Sequence, residues 1–434
     1  MLSTARRPQR PETERIPIHE RAEASRQWLA AYRDGHPISA SDRPLQRALR
    51  VTILKTILLG CLGRWDRHVR RGLTFRTRGD AMGQKTPWYW LTMATIVSQW
   101  CGWLATARAE TPRRIAVGVY FNEGTCYCPS DEQAFADLQN ETGRLAKAYL
   151  NFQSWTEQWN QFSTRLGDNS LKHGGVFMVV WMPGRGEDRP GRSDPDWSCK
   201  AIVAGQHDAY IKRYAADVKA WGKPVMIRLA HEMNGSWYPY GTAFDAPGVR
   251  HNGNTPADYV AMWRHVWDIF HNAGAENVYW VWSPNIFYLN ANNTLAQQQA
   301  DCQALYPGDG CVDWIGLDGY CDGVKGKWRT FPELFDASYR AITAITGKPL
   351  MIAEFACSEA GAPPGISKAA WIRQTYLVDI PSRYPRIELV NWFCRDKTRH
   401  GETDWRFSSS RATLSAYSAA VNTPLYQGEI KLKH

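Results

Sequence analysis

The chain has 434 residues, 44% hydrophobic and 22% charged, with 21 Trp, 19 Tyr and 14 Phe. That apolar content suits one large domain or two ordinary ones and excludes bulk disorder, collagen and coiled coil. The net charge of +10 is uneven: residues 1–109 hold 19 Lys and Arg against 8 Asp and Glu, and residues 110–434 hold 33 against 34, so the near-neutral body argues against nucleic-acid binding.

Residues 1–81 are Arg-rich and punctuated by Pro, with one short apolar run, Val51–Leu62, broken by Lys55. A different pattern starts at Met82. Lys85 precedes an apolar stretch, Trp88–Ala107, and Ala107-Arg-Ala109 ends it. A positive start, a hydrophobic middle and small residues at the end predict a secretory signal segment over 82–109. Residues 1–81 are then a disordered extension or lie upstream of the true start, and the product is secreted or periplasmic. The alternative for 82–109 is an apolar helix packed on the body. No run is apolar throughout over the roughly 18 residues of a clear membrane span; Leu91–Ala107, which contains Gln99, comes nearest. Eight of the ten cysteines follow Ala109, an even count that permits disulfides in an exported chain. Cys302 and Cys311 flank a Pro-Gly loop and are the easiest pair to propose. Buried reduced thiols are the alternative. Cys126-x-Cys128 alone is too little for a metal site.

Along 110–434, short apolar runs alternate with amphipathic stretches. The predicted strands are 115–121, 147–155, 176–183, 224–232, 278–285, 312–320, 349–357 and 387–394. Predicted helices at 131–146, 208–221, 256–272, 332–346 and 367–384 carry apolar residues at i, i+3 and i+4. Eight strands alternating with helices predict an α/β fold, a (β/α)8 TIM barrel. An open doubly wound sheet is the runner-up. No G-x-G-x-x-G or P-loop follows a strand, which weakens its nucleotide-binding form.

Polar residues gather where the strands end: Arg228, His231, Glu232, Asn234 and Trp237 at the fourth, Asp318 and Tyr320 at the sixth, Glu354 at the seventh, Trp392 at the eighth. Carboxyl ends of barrel strands carry chemistry. Glu232 and Glu354 close apolar runs, where a carboxylate is costly unless it enters a polar mouth. The fourth and seventh strands of a closed barrel lie opposite one another, so the two acids face across the opening. Singly, each such Glu is more often a salt bridge or helix cap. Together they supply what glycosidic cleavage needs, a proton donor and a group on the other face of the sugar. Strand alternation places Arg228, Ala230 and Glu232 on one face, with Arg228 able to hold a carboxylate or a sugar hydroxyl. Trp392 offers a flat platform.

The stretch Ile227-Arg-Leu-Ala-His-Glu-Met-Asn-Gly-Ser-Trp-Tyr-Pro-Tyr240 resembles the acid/base signature of glycoside hydrolase family 26. The likeness runs through Val281-Trp-Ser-Pro-Asn285, Tyr306-Pro-Gly-Asp309, Val312–Tyr320, Lys348–Glu354 and Asp404-Trp-Arg406. It spans roughly 115–410. The family includes β-mannanases, mixed-linkage β-glucanases and β-1,3-xylanases. The resemblance implies Glu232 as general acid/base and Glu354 as nucleophile of a retaining double displacement. It implies His231, Trp237, Tyr320 and Trp392 as substrate-binding residues, with Arg228, Asp318 and Asn234 in support. Retention asks for carboxyl groups about 5–5.5 Å apart. No metal or cofactor is required. The implied partner is a β-linked polysaccharide (mannan, mixed-linkage β-glucan or a bacterial exopolysaccharide), cut internally by a monomer. The third strand ends Val180-Trp-Met-Pro183, without the His-rich motif associated with many of the family's mannanases. Two other readings are a catalytically inactive carbohydrate-binding barrel and a basic tail that binds an anionic partner.

Overall fold

The computed structural model describes residues 113–120, 132–155, 161–185, 194–246, 249–287 and 294–432. The chain divides after Arg108, and the described residues belong to the unit Ala109–His434. The Arg-rich extension, the signal-like segment, Cys126 and Cys128 lie outside the described residues.

Eight parallel strands close into a barrel: β1 Ala116–Tyr120, β2 Ala148–Ser154, β3 Val176–Met182, β4 Val225–Leu229, β5 Val278–Trp282, β6 Trp314–Cys321, β7 Leu350–Cys357 and β8 Ile387–Trp392. Each pairs with its neighbours in sequence, and β8 closes on β1 in the register Ala116 to Leu389. The (β/α)8 prediction holds and the doubly wound alternative falls. Parallel strands are covered on both faces, so they read as nearly unbroken apolar runs, as in the buried Phe177-Met-Val-Val-Trp-Met182 of β3.

The outer layer comprises α1 Glu132–Thr142, α2 Thr164–Lys172, α3 Asp208–Trp221, α4 Pro256–Ala273, α5 Leu295–Leu305, α6 Phe331–Ile345, α7 Lys368–Gln374 and α8 Arg411–Val421. Local chemistry sets their ends. Thr255 caps α4 in a capping box with Asp258, Pro256 fills its first turn, and Gly274 ends it in the left-handed region. Thr330 and Glu333 repeat the box on α6. The helix predicted over 367–384 is interrupted after α7 by a wide turn, Thr375–Asp379, before Ile380–Arg383. Pro381 lacks the amide that would continue the ladder.

Inside the barrel, a Cβ on Gly118 would overlap the Asn391 amide, so β1 and β8 close only with glycine there. The predicted Cys302–Cys311 bridge is not formed; both thiols are free and buried. Cys302 sits in α5, and the Cys311 thiol turns to the carbonyls of Pro307 and Gly308. No helix among the described residues is long and apolar enough to cross a membrane.

Candidate active site

Two local departures from regular strand geometry build the site. Strand β4 stops at Leu229, three residues short of the prediction, because Ala230 (φ 43°) and Glu232 (φ 52°) are left-handed. Such residues cost about 1–3 kcal/mol each and persist where the surroundings over-determine them. Here the Ala230 amide still donates to Trp181 of β3 (3.0 Å) and the Glu232 amide to Ser283 beyond β5 (2.8 Å). Glu232 therefore reaches the mouth through this turn and not by the expected strand alternation. The second departure is a bulge in β7. Leu317 pairs with Ile352, but the next residue, Asp318, pairs with Glu354; the β8 ladder skips at the same point. One extra residue re-aims the side chains after it, and Glu354 comes level with Asp318.

Glu232 and Glu354 both line one cavity of about 580 Å³ at the carboxyl ends of the strands. Their surroundings differ. Asn285 Nδ2 donates to Glu232 Oε1 (2.6 Å) and Trp237 Nε1 to Oε2 (2.7 Å). Burial, with Glu354 nearby, outweighs these donors and pushes the Glu232 carboxyl up to about 7. Glu354 is held by cationic and hydroxyl donors: Arg228 Nη1 on Oε1 and Tyr320 Oη on Oε2, the latter at 2.6 Å. Arg228 is wholly buried, and its other Nη donates to Asp318. Burial opposes its charge, yet Asp318 and Glu354 together raise its pKa. Ser283 Oγ lies 3.1 Å from Arg228 Nε and 3.0 Å from Asp318 Oδ2, tying β5 into the network. One acid is thus held readily protonated, while the other accepts from a fixed cation.

Four of the nine predicted residues line the cavity: Glu232, Glu354, Trp237 and Tyr320. Arg228 and Asp318 lie beneath it. Arg228 is committed to carboxylates, not to a sugar hydroxyl. His231 is 1% exposed behind the cavity wall, its Nε2 3.1 Å from Tyr238 Oη and 4.0 Å from Glu354 Oε1. Burial, aided by Arg228, lowers its pKa well below the usual value, so the ring is neutral. Tyr238, not His231, meets the cavity. Asn234 exchanges two hydrogen bonds with the Asn285 backbone (2.7 and 2.8 Å) and so positions Asn285 instead of facing a substrate.

Trp392 is a correction. It is fully buried against Phe355, Tyr376 and Tyr417. Period-two alternation turns Asn391 inward and Trp392 toward the helices. Its Nε1 donates to the Trp405 carbonyl (2.8 Å), and Trp405 lines the cavity in its place. Trp392→Ala is expected to cost about 3–5 kcal/mol of stability, seen as a lower urea midpoint; an unchanged midpoint would contradict this packing role. Phe152, Asn285, Phe393 and Trp405 also line the cavity, together with Asp322, Lys325, Lys397, His400 and Glu402, and none of these was among the predicted site residues. Asn285 and Trp405 lie in motifs already noted, which was the available signal.

Residues 201–362 match the family model described as glycosyl hydrolase family 26. Endoglucanase H of Acetivibrio thermocellus is 34% identical over 294 residues, covering 67% of this chain and 29% of that protein. Mannan endo-1,4-beta-mannosidase A and B of Caldalkalibacillus mannanilyticus is 29% identical over 174 residues, covering 39% of this chain and 28% of that protein. The chain spans less than a third of the length of these curated relatives. A modular endo-beta-1,4-mannanase from Cellulomonas fimi shares the fold, with a TM-score of 0.52, 19% identity, and coverage of 72% of this chain and 71% of that one.

Proposed function

The chain belongs to glycoside hydrolase family 26, and from that premise we propose that it is a retaining endo-β-glycanase. The observation that carries this reading is one cavity holding two carboxyl groups in opposed environments, Glu232 pushed up to about 7 and Glu354 bound to Arg228 and Tyr320. Glu354 attacks the anomeric carbon while protonated Glu232 hands its proton to the departing oxygen. The glycosyl ester on Glu354 is then hydrolysed by water that Glu232, now a base, deprotonates. Tyr320 and Arg228 fix the Glu354 rotamer, and the Asn234–Asn285 pair fixes Glu232. The intact pair of acids gives the inactive-barrel alternative no support.

The substrate is a β-linked polysaccharide. The 34% identity to an endoglucanase supports a β-glucan ahead of mannan as the substrate, in keeping with the third-strand departure from the mannanase pattern. Mannan, mixed-linkage β-glucan, β-1,3-xylan and an acidic exopolysaccharide, each incubated with wild type and Glu232→Ala, test the proposal. Expected are oligosaccharides first released as the β-anomer, and their loss in the variant. Monosaccharide alone sinks the endo assignment, an α-anomer sinks retention, and unchanged cleavage by the variant removes Glu232 from its role. Export after cleavage near Ala109 is part of the same proposal, checked by the N-terminal sequence of the natural product.

Asn285 gives a pH test. Its hydrogen bond favours the Glu232 carboxylate and so lowers the pKa. Asn285→Ala raises that pKa above about 7, and the alkaline limb of the kcat/KM profile moves to higher pH. A limb that stays put, or moves down, contradicts the assignment of Glu232 as the proton donor.

A further inference from the structure

Trp405 lines the cavity from the connection between β8 and α8. Irregular backbone keeps one shape where its polar groups find partners, and here buried side chains supply them. Lys368 Nζ, at the start of α7, donates to the carbonyls of Asp404 (3.1 Å) and Arg406 (2.7 Å), and Trp392 Nε1 donates to the Trp405 carbonyl between them (2.8 Å). The third Lys368 bond goes to Ser409 Oγ (3.1 Å), which in turn donates to Glu359 Oε1 (2.9 Å), just past the end of β7. An ammonium has three donors, so all of them are spent on the segment that carries Trp405.

Lys368 is wholly buried, where a charge is costly. Burial pulls its pKa down, and Asp404 and Glu359 offset only part of that. A side chain that merely filled this space would need no charge; what the ammonium adds is a fixed backbone on both sides of Trp405. On the cavity side, the Trp405 ring lies 4.9 Å from that of Tyr320, and its Nε1 donates to Glu402 Oε2 (3.2 Å). Tyr320 Oη donates to Glu354 (2.6 Å). Lys368 is thus joined to the Glu354 carboxylate through two packed rings, although it does not itself line the cavity.

We infer that Lys368 is a positioning residue for the reaction, acting through Trp405 on the wall beside Glu354. The inference rests on the glycanase reading and goes beyond it. Lys368→Met keeps the length of the side chain and removes its charge and donors. On a polymer from the four above that the wild type cleaves, Lys368→Met should lower kcat/KM by on the order of 10²-fold, as expected when a wall of the site is misplaced, in protein whose circular dichroism shows it folded. In a Trp405→Ala background the same substitution should change kcat/KM by less than about twofold, because the ring that it positions is gone. An equal loss in both backgrounds, or no loss with Trp405 present, overturns the inference, since Lys368 then supports the fold without acting through Trp405. If Lys368→Met does not fold, Lys368→Gln, which keeps two donors, goes through the same cycle; failure of both to fold makes Lys368 a residue of the fold alone and overturns the inference too. Each of these outcomes leaves the glycanase reading standing. Cleavage of none of the four polymers by the wild type overturns both.

Discussion

Glu354→Ala is expected to lower kcat by on the order of 10⁵-fold and to yield an inverted product when azide is added. Without the carboxylate no covalent ester forms, and Glu232 alone only protonates the leaving oxygen. The variant leaves a space on the nucleophile's face of the sugar, beside Arg228 and Tyr320. A small anion is drawn there by the guanidinium and attacks once, giving an α-glycosyl azide from a β-linkage. Glu232→Ala shows the opposite face. Its glycosyl ester still forms from an activated aryl glycoside, and azide then attacks from the acid/base side to give a β-azide. The two product configurations, read by proton NMR, separate the roles. The same azide anomer from both variants would refute the assignment. Folding of Glu354→Ala is not expected to suffer, because Arg228 keeps Asp318 as its counter-ion.

The barrel was legible because buried parallel strands leave an unmistakable trace. Each of the eight predicted runs contains most of its strand, from Ala116–Tyr120 to Ile387–Trp392. The two acids were legible for a related reason, since a carboxylate closing an apolar run has few tolerable surroundings other than a polar mouth. What stayed hidden depended on single-residue backbone detail. Nothing in Leu350–Cys357 announces the bulge that brings Glu354 level with Asp318. Left-handed φ at Ala230 and Glu232 was invisible because neither is glycine. Trp392 and Trp405 were indistinguishable as aromatic residues near one strand end; only the phase of β8 turns the first outward and leaves the second to form the wall. Helix α5, Leu295-Ala-Gln-Gln-Gln-Ala-Asp-Cys-Gln-Ala-Leu305, was not among the predicted helices and has no continuous apolar stripe to mark it.

Arg228→Met tests the other half of the electrostatic design, and its effect should fall on stability and rate together. The guanidinium is buried between Glu354 and Asp318. Removing one partner of such a network leaves carboxylates without compensation at a cost of about 3–5 kcal/mol. The sign with pH follows. Burial already raises the Asp318 carboxyl and Arg228 opposes that rise, so in the variant its folded-state pKa stands further above its unfolded value. Folding is then disturbed little in acid, where this carboxyl is neutral in either state. The deficit grows as pH rises through its folded pKa. Urea midpoints for variant and wild type should converge near pH 4 and separate toward pH 8. Adding Asp318→Asn should recover part of the loss, since that buried acid is then gone. In the rate, loss of a fixed donor to the nucleophile should cost roughly 10²–10³-fold in kcat/KM. A pH-independent stability deficit would mean that Arg228 serves as packing and not as a counter-ion. An unchanged kcat/KM would mean that the Arg228 contact does not serve the nucleophile.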